Sequence, residues 1–223
     1  DQALPVSTKG ARRAGVACSG SAWHWRAYVQ TGRTHQAIEA CRAVIRKGTA
    51  NIAGYQILLE IYLARQQPPE AEKVLAQAAA QSSTNLAFLL GVSELHAMYF
   101  RALPTRAEAL KPQALATLRH VAERKPVGPN LLVKLADLYD LFGDPKTAAE
   151  TYLKLIEQNP EEPLMRDLLR ERLTNVYLRD REKDKAAAQL EAIIRDNPTM
   201  YPQAYNYLGM LADEKDDFVK ATD

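Results

Sequence analysis

Four histidines, two cysteines and adjacent carboxylates such as Glu161-Glu162 and Asp216-Asp217 are the side chains of this sequence with the most chemistry to offer. His24, His35, His96 and His120 could in principle ligate a metal or carry a proton, but they fall on different segments, with no HExxH pair and no Cys/His cluster. A metal site would need four separate helices to converge by coincidence. Glu161-Glu162 and Asp216-Asp217 are pairs only in sequence, each at a helix boundary, and read as solvated rather than catalytic. Cys41 sits on an apolar helical stripe and reads as a small buried hydrophobe, not a thiolate nucleophile. Cys18 and Cys41 alone make neither a disulfide framework nor a ligand spacing. No Gly-rich phosphate loop and no nucleophile elbow are present. The sequence therefore points to a non-catalytic protein with no catalytic residue, metal site or cofactor.

What positions these side chains is a chain long and apolar enough to bury a core unaided: 223 residues, of which 47% are apolar and 25% charged, with a formal net charge of +2. The charge is unevenly spread. Residues 1–50 hold eight Lys/Arg against two Asp/Glu, whereas 151–223 hold eleven against fifteen. No run reaches the ~18 apolar residues of a membrane span, and no apolar signal-peptide core precedes the first helix. The expectation is a soluble protein, cytoplasmic or periplasmic; as the chain opens at Asp1, the periplasmic reading takes any export signal as already removed.

The organisation is periodic. Tyr28 and Tyr62, Ala37 and Ala71, Ala114 and Ala148, and Pro126 and Pro160 are each 34 residues apart. Tyr139 and Tyr177, Ala148 and Ala186, and Pro160 and Pro198 are each 38 apart, so one unit is longer by about one helical turn. Within a unit, apolar residues recur at spacings of three and four on either side of a short polar break, which predicts two helices and no strand. In 129–162 the first stripe is Leu132, Leu135, Ala136 and Tyr139, Gly143-Asp144-Pro145 breaks it, and Ala148, Tyr152 and Leu155 form the second. Asp144 suits the cap of that second helix and Pro145 its first turn.

These recurring aromatic, Leu, small, Tyr, Ala and Pro positions resemble the tetratricopeptide repeat family. The resemblance implies an all-α, right-handed solenoid of antiparallel helix pairs. Its units fall at about 18–51, 52–85, 86–128, 129–162 and 163–200, with a partial unit at 202–223, after a flexible arm at 1–17. The first unit departs from the pattern at His24 and Trp25, and the third carries an insertion at 101–113 in which Thr105 and Glu108 predict a capping box and a short extra helix. At the close-packed family position stand Ala37, Ala71, Ala114, Ala148, Ala186 and Ala221, where only a small side chain lets two helices approach.

The family's groove lies along the first helices of successive units. Carried over to this sequence, the groove positions are Arg26, Gln30, Gln56, Glu60, Glu94, Lys134, Asp137, Arg172, Asn175, Arg179 and Asn206. Singly, each also fits an ordinary solvated helix face. As a set they are polar and of mixed sign, and Lys134, Arg172 and Arg179 together suggest an acidic, extended peptide or protein segment as partner. On this reading, reversing Arg172 and Arg179 to glutamate should weaken the partner while leaving the melting temperature nearly unchanged. Capture of a C-terminal carboxylate by one Lys and two Asn, as in one subgroup of the family, is disfavoured because Glu171 stands at the lysine position. Two alternatives stay open: RNA binding through the basic first unit and arm, opposed by the acidic C-terminal third, and self-association through the incomplete last unit.

Overall fold

The computed structural model describes residues 34–46, 52–81, 85–158, 162–199 and 201–213. Every regular element among them is helical. The chain divides between Arg124 and Lys125 into two compact units. The first contains α1 (Thr34–Arg46), α2 (Ile52–Ala64), α3 (Pro68–Ala79), α4 (Leu86–Ala102), the short α5 (Pro104–Ala107), a 3-10 turn (Glu108–Leu110) and α6 (Lys111–Glu123). Here α2 packs on α1, α3 and α4, and α4 packs on α3 and α6. The second contains α7 (Pro129–Leu141), α8 (Pro145–Gln158), α9 (Pro163–Arg179), α10 (Lys183–Asp196) and α11 (Pro202–Asp213), each packed on the next.

The breaks between paired helices follow from local chemistry. After α7, Gly143 takes a left-handed conformation (φ 87°), and the amides of Gly143 and Asp144 return to the carbonyls of Asp140 and Tyr139 (3.1 and 2.8 Å). These bonds satisfy carbonyls that the helix end would otherwise leave open. Asp144 then starts α8: its carboxylate accepts from the Thr147 amide (3.1 Å) and the Thr147 hydroxyl (2.9 Å), as the cap reading expects. The same turn recurs after α2 and α9, with Gln66 (φ 54°) and Arg181 (φ 61°) at the left-handed position and amides returning from Gln67 to Tyr62 and from Glu182 to Tyr177. Prolines in the first turn of α3, α5, α6, α7 and α9 cost nothing there, because those amides lack an intrahelical partner anyway.

Small residues set the helix spacing. Ala71, Ala114, Ala148 and Ala186 are fully buried, and Ala37 is nearly so. In α4, a Cβ on Gly91 would stand 2.3 Å from Ile52 Cγ1 of α2, so glycine is what permits that approach. Large side chains fill the remaining space, with Tyr55, Tyr99, Tyr152 and Phe142 fully buried and Cys41 at 1% exposure. The position of Cys41 agrees with its reading as a core residue. Ala221, Tyr28, His24 and Trp25 lie outside the described residues, as do the arm at 1–17 and Asp216-Asp217.

The insertion needs a correction. A short helix does form, but Leu103 occupies its N-cap with no side-chain hydrogen bond, and Thr105 lies inside α5. Glu108 pairs instead with Lys111 (2.8 Å). Pro104 explains the difference, since its fixed φ begins the helix one residue before the threonine could cap it. The segment is docked: Ala107 is fully buried, and Arg106 sends both Nε and a terminal nitrogen to Glu72 Oε1 of α3 (3.1 and 3.0 Å), which also accepts from the Tyr99 hydroxyl (2.5 Å). Tyr99 and Arg106 together hold the Glu72 carboxyl below its ordinary range.

His96 gives the first unit a predicted acid sensitivity. It is fully buried in α4, its Nδ1 donates to the Val92 carbonyl (2.9 Å), and burial lowers its pKa below the ordinary 6.5. Below pH ~6.5 the unfolded chain binds a proton that the folded chain refuses, so stability is complete above that pH and falls as the pH drops toward the folded value. The expected slope is at most about 1.4 kcal/mol per pH unit. Melting curves of the wild type and His96→Leu between pH 7 and 5, limits set by the ordinary imidazole range of about 6.5, should diverge in slope. Parallel pH profiles would count against His96 as the source.

Candidate functional site

The sequence-derived groove residues fall into two groups, one in each unit, after Arg26 and Gln30 are set aside as outside the described residues. In the first unit, Gln56 donates to Glu60 (3.1 Å) along the exposed side of α2, and Glu94 is exposed on α4. Lys134 and Asp137 lie on α7, Arg172, Asn175 and Arg179 on α9, and Asn206 on α11, with Lys134, Asn175 and Asn206 exposed.

Among these, Asp137 and Arg172 are brought directly together. The guanidinium of Arg172 donates to both Asp137 oxygens across 35 residues of sequence, and the Tyr152 hydroxyl of α8 donates to the same carboxylate at 2.5 Å. Burial pushes the Tyr152 phenol well up and Asp137 adds to it, so this hydroxyl stays protonated as a donor. Three helices thus meet on one carboxylate. One to two turns along the seam, Arg179 pairs with Asp140 of α7 across 39 residues. Burial raises the Asp140 carboxyl, and Arg179 pulls it back in part. Asp140 and Tyr152 were not among the sequence candidates. The signal for Asp140 was present, because an Asp and an Arg about one repeat apart on first helices are placed to bridge neighbouring units.

A second polar network fixes the other side of α9. Arg166 and Arg170 both reach Asp196 of α10 (3.1 and 2.6 Å), and the Asn197 amide donates to the fully buried Asp167. The hydrogen bond from Arg170 is the main reason that the Asp196 carboxyl lies below its usual range. All four arginines of α9 are therefore paired with carboxylates of adjacent helices. Besides Pro163 at its start, α9 leaves exposed Leu164, Leu168, Glu171, Asn175 and the paired Arg179, at spacings of four, three, four and four that place them on one helix face.

Other openings offer less. A cleft of about 280 Å³ in the first unit is lined by Ala78, Leu89, Val92, Thr117, His120 and Arg124. Its hydroxyl and imidazole already bond to the Gln113 carbonyl (3.1 Å) and Glu123 (3.2 Å). Among the described residues, no group of three or more His, Cys, Asp or Glu is placed to hold a metal ion. No described helix is long and apolar enough to cross a membrane.

The helix pair α7/α8 carries the decisive likeness: the family model described as "Tetratricopeptide repeat" matches residues 131–162. Residues 131–162 form a tetratricopeptide repeat. Among solved structures, a tetratricopeptide repeat protein from Parabacteroides merdae is similar at 15% identity, with 96% of this chain and 77% of that chain covered and a TM-score of 0.52. PilW, described as a type IV pilus biogenesis factor, is similar at 10% identity, with coverage of 97% and 90% and a TM-score of 0.50. Likeness at this level of identity establishes the fold, an all-α tetratricopeptide-repeat solenoid. No curated protein matches the sequence. The Asp137–Arg172 and Asp140–Arg179 pairs join α7 of this repeat to α9, the first helices of two consecutive helix pairs.

Proposed function

We propose that this protein is a non-catalytic interaction scaffold that binds a peptide or protein segment along the first helices of its repeats. The observation that supports this most is the α7–α9 seam. There Asp137, Arg172 and Tyr152 hold the first helices of consecutive pairs in a fixed relation, so the exposed side chains beside the seam are pre-organised without a ligand. The acidic, extended partner suggested by Lys134, Arg172 and Arg179 would have to compete with Asp137 and Asp140 for both arginines. The groove set for this function remains Gln56, Glu60, Glu94, Lys134, Asp137, Arg172, Asn175, Arg179 and Asn206, with Arg26 and Gln30 from the first unit.

The test uses exposed groove residues that hold no helix together. Asn175→Lys combined with Asn206→Lys should leave helicity and melting unchanged, yet lower the affinity for proteins captured by the wild-type chain at least about tenfold, or 1.4 kcal/mol. Full retention of those partners by the double variant would remove the groove as the site.

A further inference from the structure

The charge of the partner can be read from which arginines are left over on α9, and the count is none. Arg166 and Arg170 are spent on Asp196, Arg172 on Asp137 and Arg179 on Asp140. Beside them the exposed stripe presents two aliphatic side chains one turn apart, Leu164 at 60% and Leu168 at 40% exposure, followed by Glu171 and Asn175. Glu171 forms no ion pair among the described residues, whereas Arg179, which ends the stripe at 61% exposure, is already paired with Asp140. At the helix start, exposed Glu162 occupies the N-cap, where its carboxylate offsets the positive end of the helix dipole.

We propose that the exposed stripe of α9 receives a cationic amphipathic helix of a partner protein, with aliphatic side chains against Leu164 and Leu168 and a lysine or arginine against Glu171. This rests on the scaffold reading above and reverses the charge that the sequence alone suggests for the partner. Two aliphatic residues at i and i+4 match the anchor spacing of a helix laid on a helix. An acidic segment would meet Glu171 together with Asp137 and Asp140, whose neutralising arginines it would have to strip away before gaining anything. A cationic one finds Glu171 without a competing partner and leaves the seam intact.

The probes are two synthetic peptides about four turns long, with identical leucine positions and either lysine or glutamate at every charged position, measured by fluorescence anisotropy on the full chain at physiological salt. The lysine peptide should bind at least about tenfold more tightly. Leu164→Ala with Leu168→Ala, and separately Glu171→Lys, should each remove most of that binding with the melting curve unchanged, because all three side chains are exposed. Equal or tighter binding of the glutamate peptide would overturn the proposal and return the arginines to the role the sequence gave them. Lysine-peptide binding unaffected by the leucine changes would also overturn it, by showing attraction to acidic surface at large. So would concentration-dependent dimers abolished by the leucine changes, since the stripe would then be covered by a second copy. Failure of the peptides with success of the Asn175/Asn206 capture experiment would reject this partner chemistry while leaving the scaffold reading in place.

Discussion

Ala148→Leu is expected to destabilise the protein by about 1–3 kcal/mol, which for a domain of this size corresponds to a melting shift of about 2–4 °C per kcal/mol. Ala148 has no exposed surface, and it lies on α8, which packs on both α7 and α9. Leucine there must either separate the helices or leave its rotamer. Ala187 on α10 is only partly covered, next to fully buried Ala186, so Ala187→Leu should cost far less and serves as the control. Thermal or urea unfolding of the two variants decides it. Equal losses would mean that the helix phase, and with it every face assigned above, is wrong.

Arg172→Glu is expected to cost about 1–3 kcal/mol, between the limits for exposed and buried pairs. Its side chain and that of Asp137 are 38% and 40% exposed, so neither limit applies outright. The variant removes the fork on Asp137 and sets a second carboxylate beside it, with Tyr152 the one remaining donor. Adding Asp137→Asn to Arg172→Glu should recover part of the loss, because the like-charge contact disappears. A melting temperature unmoved by Arg172→Glu would show that the pair contributes nothing. The structure thereby alters the expectation from sequence, in which these arginines were free to change sign without cost. For the same reason, loss of a partner in an Arg172/Arg179 double variant could not be assigned to the groove, and exposed Asn175 and Asn206 are the better probes.

The sequence by itself determined what depends on local periodicity and on residue size. Recurrent Ala, Tyr and Pro at 34 or 38 positions specified helix pairs, and Gly143, Asp144 and Pro145 specified where one helix stops and the next begins. Chain-local hydrogen bonds and steric limits decide those features, so they are legible along the chain. The insertion shows the boundary of that legibility: a helix could be read at 101–113, but not that Pro104 would pre-empt Thr105 or that Arg106 would lock it to Glu72. The tertiary structure alone decided the charge state of the site. Whether Arg172 faces a ligand or Asp137 depends on how far α9 is rotated against α7, and whether Asp167 is solvated or buried depends on where Asn197 at the end of α10 comes to lie. A helix face spans only a few side chains, so a rotation of a few tens of degrees exchanges a solvated arginine for a paired one. Long-range packing sets that angle, and no residue type announces it.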